Sequence, residues 1–144
     1  MIQPHTTVLN HPIVRAGPKQ AWEDSYPGVT GGHEEGGFIL QNSVGTVSVV
    51  RWPKGTQNSI ILSPHPNCKI DENDIVATFH THPHSGSNYL QKPSETDKRA
   101  VRDDLDLKGD FYEGEFVISR EKIYIITPNG EVSEVGNRWE ILGE

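Results

Sequence analysis

Asp74-Ile75-Val76-Ala77-Thr78-Phe79-His80-Thr81-His82-Pro83 is the stretch on which the fold turns. Ile75, Val76, Ala77 and Phe79 make it almost continuously apolar, the pattern of a strand covered on both faces. Residues 74–80 are therefore predicted as a buried β-strand. His82 to Pro93, with Pro83, Gly86, Asn88 and Pro93, reads as a loop. Ser94 to Lys108 then reads as a helix, with Ser94 at its start, Gly109 at its end and no breaker between.

Working outward, the same strand signal recurs in shorter runs. Upstream these are Gly37 to Leu40, Thr46 to Trp52 and Ser59 to Leu62; Pro64 to Asn73 is a Pro- and Asn-rich connection. Downstream, Phe116 to Ser119 and Lys122 to Thr127 form an expected hairpin. Pro128-Asn129-Gly130 makes a turn, and Glu131 to Val135 an edge strand. Met1 to Gly17 is polar and punctuated by Pro4 and Pro12, which predicts an irregular arm. Pro18 to Ser25 is expected as a short helix, with Pro18 in its first turn and Pro27-Gly28 ending it. Neither all-β nor regularly alternating, this order predicts an α/β fold: a mixed β-sheet flanked by a few helices.

Composition agrees. A chain of 144 residues is expected to form one domain. Val and Ile together number 24 against 7 Leu, and β-branched residues suit a pleated sheet. The net charge is −7, and the longest basic cluster is Lys98-Arg99, so nucleic acid and anionic membranes are not expected partners. No apolar run approaches the ~18 residues of a membrane span, and no basic-then-apolar leader opens the sequence. The one cysteine, Cys68, excludes a disulfide framework and a multi-cysteine metal knuckle; with it, a cytoplasmic setting is expected. Seven histidines is the unusual count.

Two of them carry a pattern. Strand side chains alternate, so His80 and His82 point to one side, about 6.6 Å apart along the backbone. Two imidazoles so placed can lean onto one ion, or can simply occupy a wet strand face. Ser94-Glu95-Thr96-Asp97 opens the predicted helix, and Ser-x-x-acid is a capping arrangement. Asp97 also shares its helix face with Ala100, Val101 and Leu105, which turns a carboxylate toward the sheet. A buried carboxylate needs a partner. A metal shared with His80 and His82 would supply one, in a set suited to zinc more than to calcium or magnesium. Glu34-Glu35 precedes the strand that begins with Gly36-Gly37. These acids are either solvated or bring a proton acceptor to metal-activated water, with the glycines permitting close approach.

The three pieces in this order resemble the JAMM motif of the MPN-plus, or JAB-domain, zinc metalloproteases. The resemblance covers roughly residues 34–107. It implies a single JAB/MPN-like domain over residues 1–144, with a curved sheet and cytidine-deaminase-like layering. It also implies one Zn²⁺ held by His80, His82 and Asp97, and Ser94 as the group that stabilises the oxyanion. The general base and acid would be Glu34, counted back from Gly37, with Glu35 as the alternative. The implied substrate is a peptide or isopeptide bond, including linkages to ubiquitin or a ubiquitin-like protein. One departure stands out: residues 83–93 form a longer connection between the second His and the Ser than the family has. Such an insertion costs little closure entropy but reshapes any groove beside the metal.

Other residues offer less. His84 continues the alternation but follows Pro83. A cupin-type site would need an acid soon after His82, and the next is Glu95. His33 adjoins Glu34; His5, His11 and His65 have no partner in sequence, and Cys68 has no catalytic context. Trp22 and Trp52 read as core, Trp139 as packing for the tail. The competing expectations are a non-catalytic MPN-type interaction module and a domain in which zinc only staples the fold.

Overall fold

The structure, a computed structural model, describes residues 8–27, 32–56, 59–83 and 92–143. It is a mixed α/β fold with one seven-stranded sheet. The strands are β1 (Gly36–Gln41), β2 (Val47–Arg51), β3 (Lys69–Ile70), β4 (Asn73–Thr81), β5 (Glu115–Ile118), β6 (Lys122–Ile126) and β7 (Val132–Asn137). Their order is β2-β1-β4-β5-β6-β7, with β3 hairpinned onto the start of β4. All neighbours are antiparallel except β4 and β5, which run parallel and are joined by a crossover containing helix α2 (Glu95–Arg102). Helices α1 (Pro12–Asp24) and α3 (Arg138–Leu142) complete the set.

The sheet separates two apolar clusters. One gathers Ile39, Phe79, Phe116 and Ile118 with Val14, Ala21 and Trp22 of α1 and Leu142 of α3. The other gathers Phe38, Trp52, Val117 and Tyr124 with Val101 of α2, Leu107 and Tyr112. Phe38, Phe79 and Phe116 are fully buried, and each such side chain contributes about 1.5–3 kcal/mol by leaving water. A bulge opposite Ile39 and Leu40 makes Val76 the extra residue of β4. Beyond it the alternation is regular: Ala77, Phe79 and Thr81 face α1, while Thr78, His80 and His82 face α2. The predicted buried strand is thus present, and it is buried from Ile75 onward.

Three expectations are corrected. Residues 8–17 are not an arm: Val8–Asn10 forms a 3-10 turn, and α1 begins at Pro12 with Pro18 inside it. His11 caps this helix through its ring, which accepts the Ile13 N–H, and Pro12 occupies a first-turn position where no N–H is needed. Gly17 is kept by packing, since a Cβ there would lie 2.8 Å from Val49 of β2. Ser59–Leu62 is no strand; the Ser59 carbonyl accepts the Thr56 N–H, Ile60 and Leu62 lie on the second cluster, and Ile61 is exposed.

The predicted helix 94–108 stops at Arg102. Asp104 accepts the Asp106 N–H and starts a separate 3-10 turn, Leu105–Leu107. Leu105 consequently faces solvent, Ala100 is exposed within α2, and Val101 alone of the proposed stripe is buried. Among the described residues, no helix is long and apolar enough to cross a membrane.

Candidate metal centre

β4 delivers the two histidines and α2 the carboxylate. His80 lies within β4 and His82 just past its end, where its N–H donates to the Ile118 carbonyl of β5 (2.8 Å). Asp97 reaches them from the first turn of α2. It serves two purposes at once: its Oδ2 accepts the Ser94 N–H (2.8 Å), and its own N–H donates to Ser94 Oγ (3.0 Å). This reciprocal capping box fixes the carboxylate where α2 approaches the carboxyl end of a parallel strand, the place where open α/β sheets bind ligands.

His80 Nε2 and His82 Nε2 are 3.2 Å apart. Asp97 Oδ1 is 3.5 Å from His80 Nε2, and Asp97 Oδ2 is 3.2 Å from His82 Nε2. Among the described residues this is the one group of three or more metal-capable side chains whose ligand atoms converge, all within 4.8 Å of one another. Ligands 2.0–2.1 Å from a tetrahedral ion stand about 3.3 Å apart. The donor set and spacing therefore fit a metal ion. His80 is buried and Asp97 about 20% exposed.

The electrostatics of the metal-free protein follow from that crowding. Burial would lower the His80 pKa, but the charge of Glu115 and hydrogen bonds to Asp97 and Glu115 carry it well above the ordinary 6.5. Burial would raise Asp97, yet the hydrogen bonds from His80 and His82 hold it far below the usual carboxylate range. Both shifts have one physical cause: imidazoles and carboxylates crowded together share protons in hydrogen bonds.

Glu34 and Glu35 separate clearly. Glu34 is buried, and desolvation raises its pKa against the opposing pull of His80 and His82. It stands within electrostatic range of His80, His82, Asp97 and Glu115, and among the described residues no Lys or Arg pairs with it. Its backbone is pinned, with its N–H on the Thr56 carbonyl (2.7 Å) and its carbonyl receiving the Gly55 N–H (2.8 Å). Glu35 instead turns to the α1 side, where Arg51 and His33 take its two oxygens and Arg51 continues to Asp24. The Glu35 backbone is tied to Thr81 by two bonds, N–H to Oγ1 (3.0 Å) and carbonyl from N–H (2.9 Å). Thr81 Oγ1 also meets Ser25 Oγ at the end of α1. The glycines serve packing: a Cβ on Gly36 would lie 2.5 Å from the Phe79 carbonyl and 2.6 Å from Trp52.

Sequence reasoning missed Glu115. This residue opens β5, and its Oε2 accepts a hydrogen bond from His80 Nδ1 at 2.7 Å. Nothing near it in sequence marks it. Of the other candidates, His65 pairs with Asp104, Cys68 is a buried free thiol, and Trp139, expected to pack the tail, is exposed. His5, His84 and most of the loop 83–93 lie outside the described residues. Compared with protein-family models, curated proteins and solved structures, the chain matches none.

Proposed function

We propose that the protein is a zinc-dependent hydrolase of the JAMM type, cleaving a peptide or isopeptide bond. One observation carries this reading: the donor atoms of His80, His82 and Asp97 converge beside a buried carboxylate, Glu34, that no Lys or Arg neutralises among the described residues. Zinc on these three ligands would lower the pKa of a coordinated water toward ~7 and polarise a carbonyl.

The remaining work falls to side chains. Glu34, with its proton affinity raised by burial, is suited to take a proton from metal-bound water and return it to a departing amine. Ser94 Oγ accepts the Asp97 N–H, which leaves the hydroxyl hydrogen to donate to a carbonyl oxygen gaining negative charge. Asp97 both caps α2 and completes the ligand set, so its position is fixed by the fold before any ion arrives. Helix α2 on one face of the sheet and α1 with α3 on the other support a JAB-like layering.

The substrate class comes from the motif's resemblance: a linkage to ubiquitin or a ubiquitin-like protein, or an unmodified peptide. A single buried thiol suits a reducing, cytoplasmic setting. The test is an assay of metal-stripped protein, reloaded with zinc, against an unstructured peptide library and a ubiquitin-like isopeptide conjugate. Hydrolysis of either substrate that appears with one equivalent of zinc and disappears with a chelator is expected. Tight zinc binding with neither substrate cleaved would instead make the metal a structural staple. Absence of zinc binding would leave an interaction module.

A further inference from the structure

We infer that Glu115 is the positioning residue of the metal centre: it orients His80 through Nδ1 and thereby strengthens the site's hold on a divalent cation. This rests on the reading of His80, His82 and Asp97 as ligands, and it assigns a role to a residue outside the motif.

The geometry begins in the parallel pairing of β4 and β5, which sets Thr78 beside Glu115 and His80 beside Val117. On the α2 face of the sheet the Glu115 carboxylate thus lies between Thr78 and His80. Both of its oxygens are used. Oε1 accepts the Thr78 hydroxyl at 2.9 Å, and Oε2 meets His80 Nδ1 at 2.7 Å. Thr78 has one hydroxyl hydrogen and gives it to the carboxylate. The 2.7 Å contact between Thr78 Oγ1 and the Tyr112 hydroxyl therefore has Tyr112 as donor. A chain Tyr112–Thr78–Glu115–His80 results, with every member buried.

This chain fixes a specific atom. A carboxylate held at both oxygens cannot swing, so His80 Nδ1 keeps its hydrogen and the ring cannot flip. Nε2 is then the atom presented to His82 and Asp97, at 3.2 and 3.5 Å. Histidines that ligate metals generally donate their second nitrogen to such a carboxylate, which raises ligand basicity. A bland structural role explains less. Glu115 is paired in the sheet with Ile126 and lies on the face that carries the apolar cluster of Phe38, Val117 and Tyr124, where a carboxylate is costly and an aliphatic side chain would pack.

The test compares zinc affinity, by competition with a chromophoric chelator, in wild type, Glu115→Ala and Glu115→Gln. Glu115→Ala is expected to bind zinc 10–100-fold more weakly, and Glu115→Gln, which keeps an oxygen for Nδ1–H, to recover part of that loss. ¹⁵N-edited NMR of the His80 ring supplies a second readout, present with or without metal. The Nδ1–H proton should be slowly exchanging in wild type and Glu115→Gln and lost in Glu115→Ala. Thermal unfolding of each variant identifies a failure to fold, in which case Glu115→Gln carries the comparison. Zinc affinity within twofold of wild type in the folded variants, with the Nδ1–H signal intact, would overturn the assignment. If wild type binds no zinc, the proposed function fails. The NMR arm then decides the orienting role alone: a signal in wild type that Glu115→Ala removes upholds it, and a rapidly exchanging wild-type proton ends it.

Discussion

Two His–Asp pairs lie on the α2 side of the sheet, and they behave differently. His65 gives Nδ1 to the Ser63 carbonyl (2.6 Å) and Nε2 to Asp104 Oδ2 (2.7 Å), and the other Asp104 oxygen accepts the Asp106 N–H (2.8 Å). Each polar atom there has one oxygen or N–H partner and the set is closed, a stitch between the connection before β3 and the turn after α2. At His80, His82 and Asp97 three ligand atoms press together within 4.8 Å, while His80 is anchored from behind by Glu115. A His–Asp contact alone does not mark a site. Convergence of three ligand-capable atoms from two separate elements on one point does.

Breaking each set in turn should give opposite signatures. The largest effect is expected from His80→Ala, His82→Ala and Asp97→Ala. Each removes a ligand, so zinc affinity should fall by more than the ~100-fold upper range seen for residues that only orient a ligand. His65→Ala should leave zinc affinity unchanged and cost about 1–2 kcal/mol of stability in denaturant unfolding, as loss of a part-buried hydrogen-bonded pair does. Equal zinc loss in all four variants would erase the distinction.

A second contrast is sharper still because the residues are adjacent. Glu34→Gln should retain zinc and lose about 10²–10⁴-fold in turnover, the usual contribution of a general base. Glu35→Gln breaks the buried contacts to Arg51 and His33 and should appear mainly as a stability loss of about 1–3 kcal/mol, with turnover per folded molecule preserved. Steady-state rates normalised to zinc content separate the two; a dead Glu35→Gln beside an active Glu34→Gln would exchange their roles.

The smallest effects concern pH in the metal-free protein. Glu34 has its pKa raised by folding, so the folded state holds that proton more tightly than the unfolded chain. Its contribution to stability is full below the ordinary 4.5 and is lost as pH rises through the folded value. Glu34→Gln should therefore match wild type in acid and become the more stable protein toward neutrality. Asp97 is shifted the other way, so its contribution is present above the ordinary 3.8 and is lost as pH falls through its depressed folded value. Asp97→Asn should destabilise the metal-free protein at neutral pH, and the deficit should close in strong acid. Melting temperatures across the acid-to-neutral range would reveal either sign reversed.

Much of this centre was legible because its signals are local. The apolar run before His80 names a buried strand, two-residue spacing puts His80 and His82 on one side, and Ser94 with Asp97 announces a helix start. Asp97 faces inward as expected, though only Val101 of its proposed stripe does the same, since Asp103 and Asp104 end the helix early. α1 was illegible where Gly17-Pro18 reads as a breaker: close packing on Val49 and a terminal Pro12 outweigh propensity. Glu34 could not be told from Glu35 without Arg51, which sits 16 residues on and claims Glu35. Glu115 was beyond reach for the same reason in stronger form, since only the parallel register of β4 and β5 brings it to His80.

The central claim is that a metal ion is held by imidazole nitrogen and carboxylate oxygen at His80, His82 and Asp97. X-ray absorption at the zinc edge of the reloaded full chain tests it most directly. Nitrogen and oxygen scatterers at about 2.0–2.1 Å are expected, with outer-shell scattering from two imidazoles that drops to one in His82→Ala. A sulfur scatterer at about 2.3 Å, which would place Cys68 on the ion, or a spectrum unchanged in His82→Ala, would contradict it.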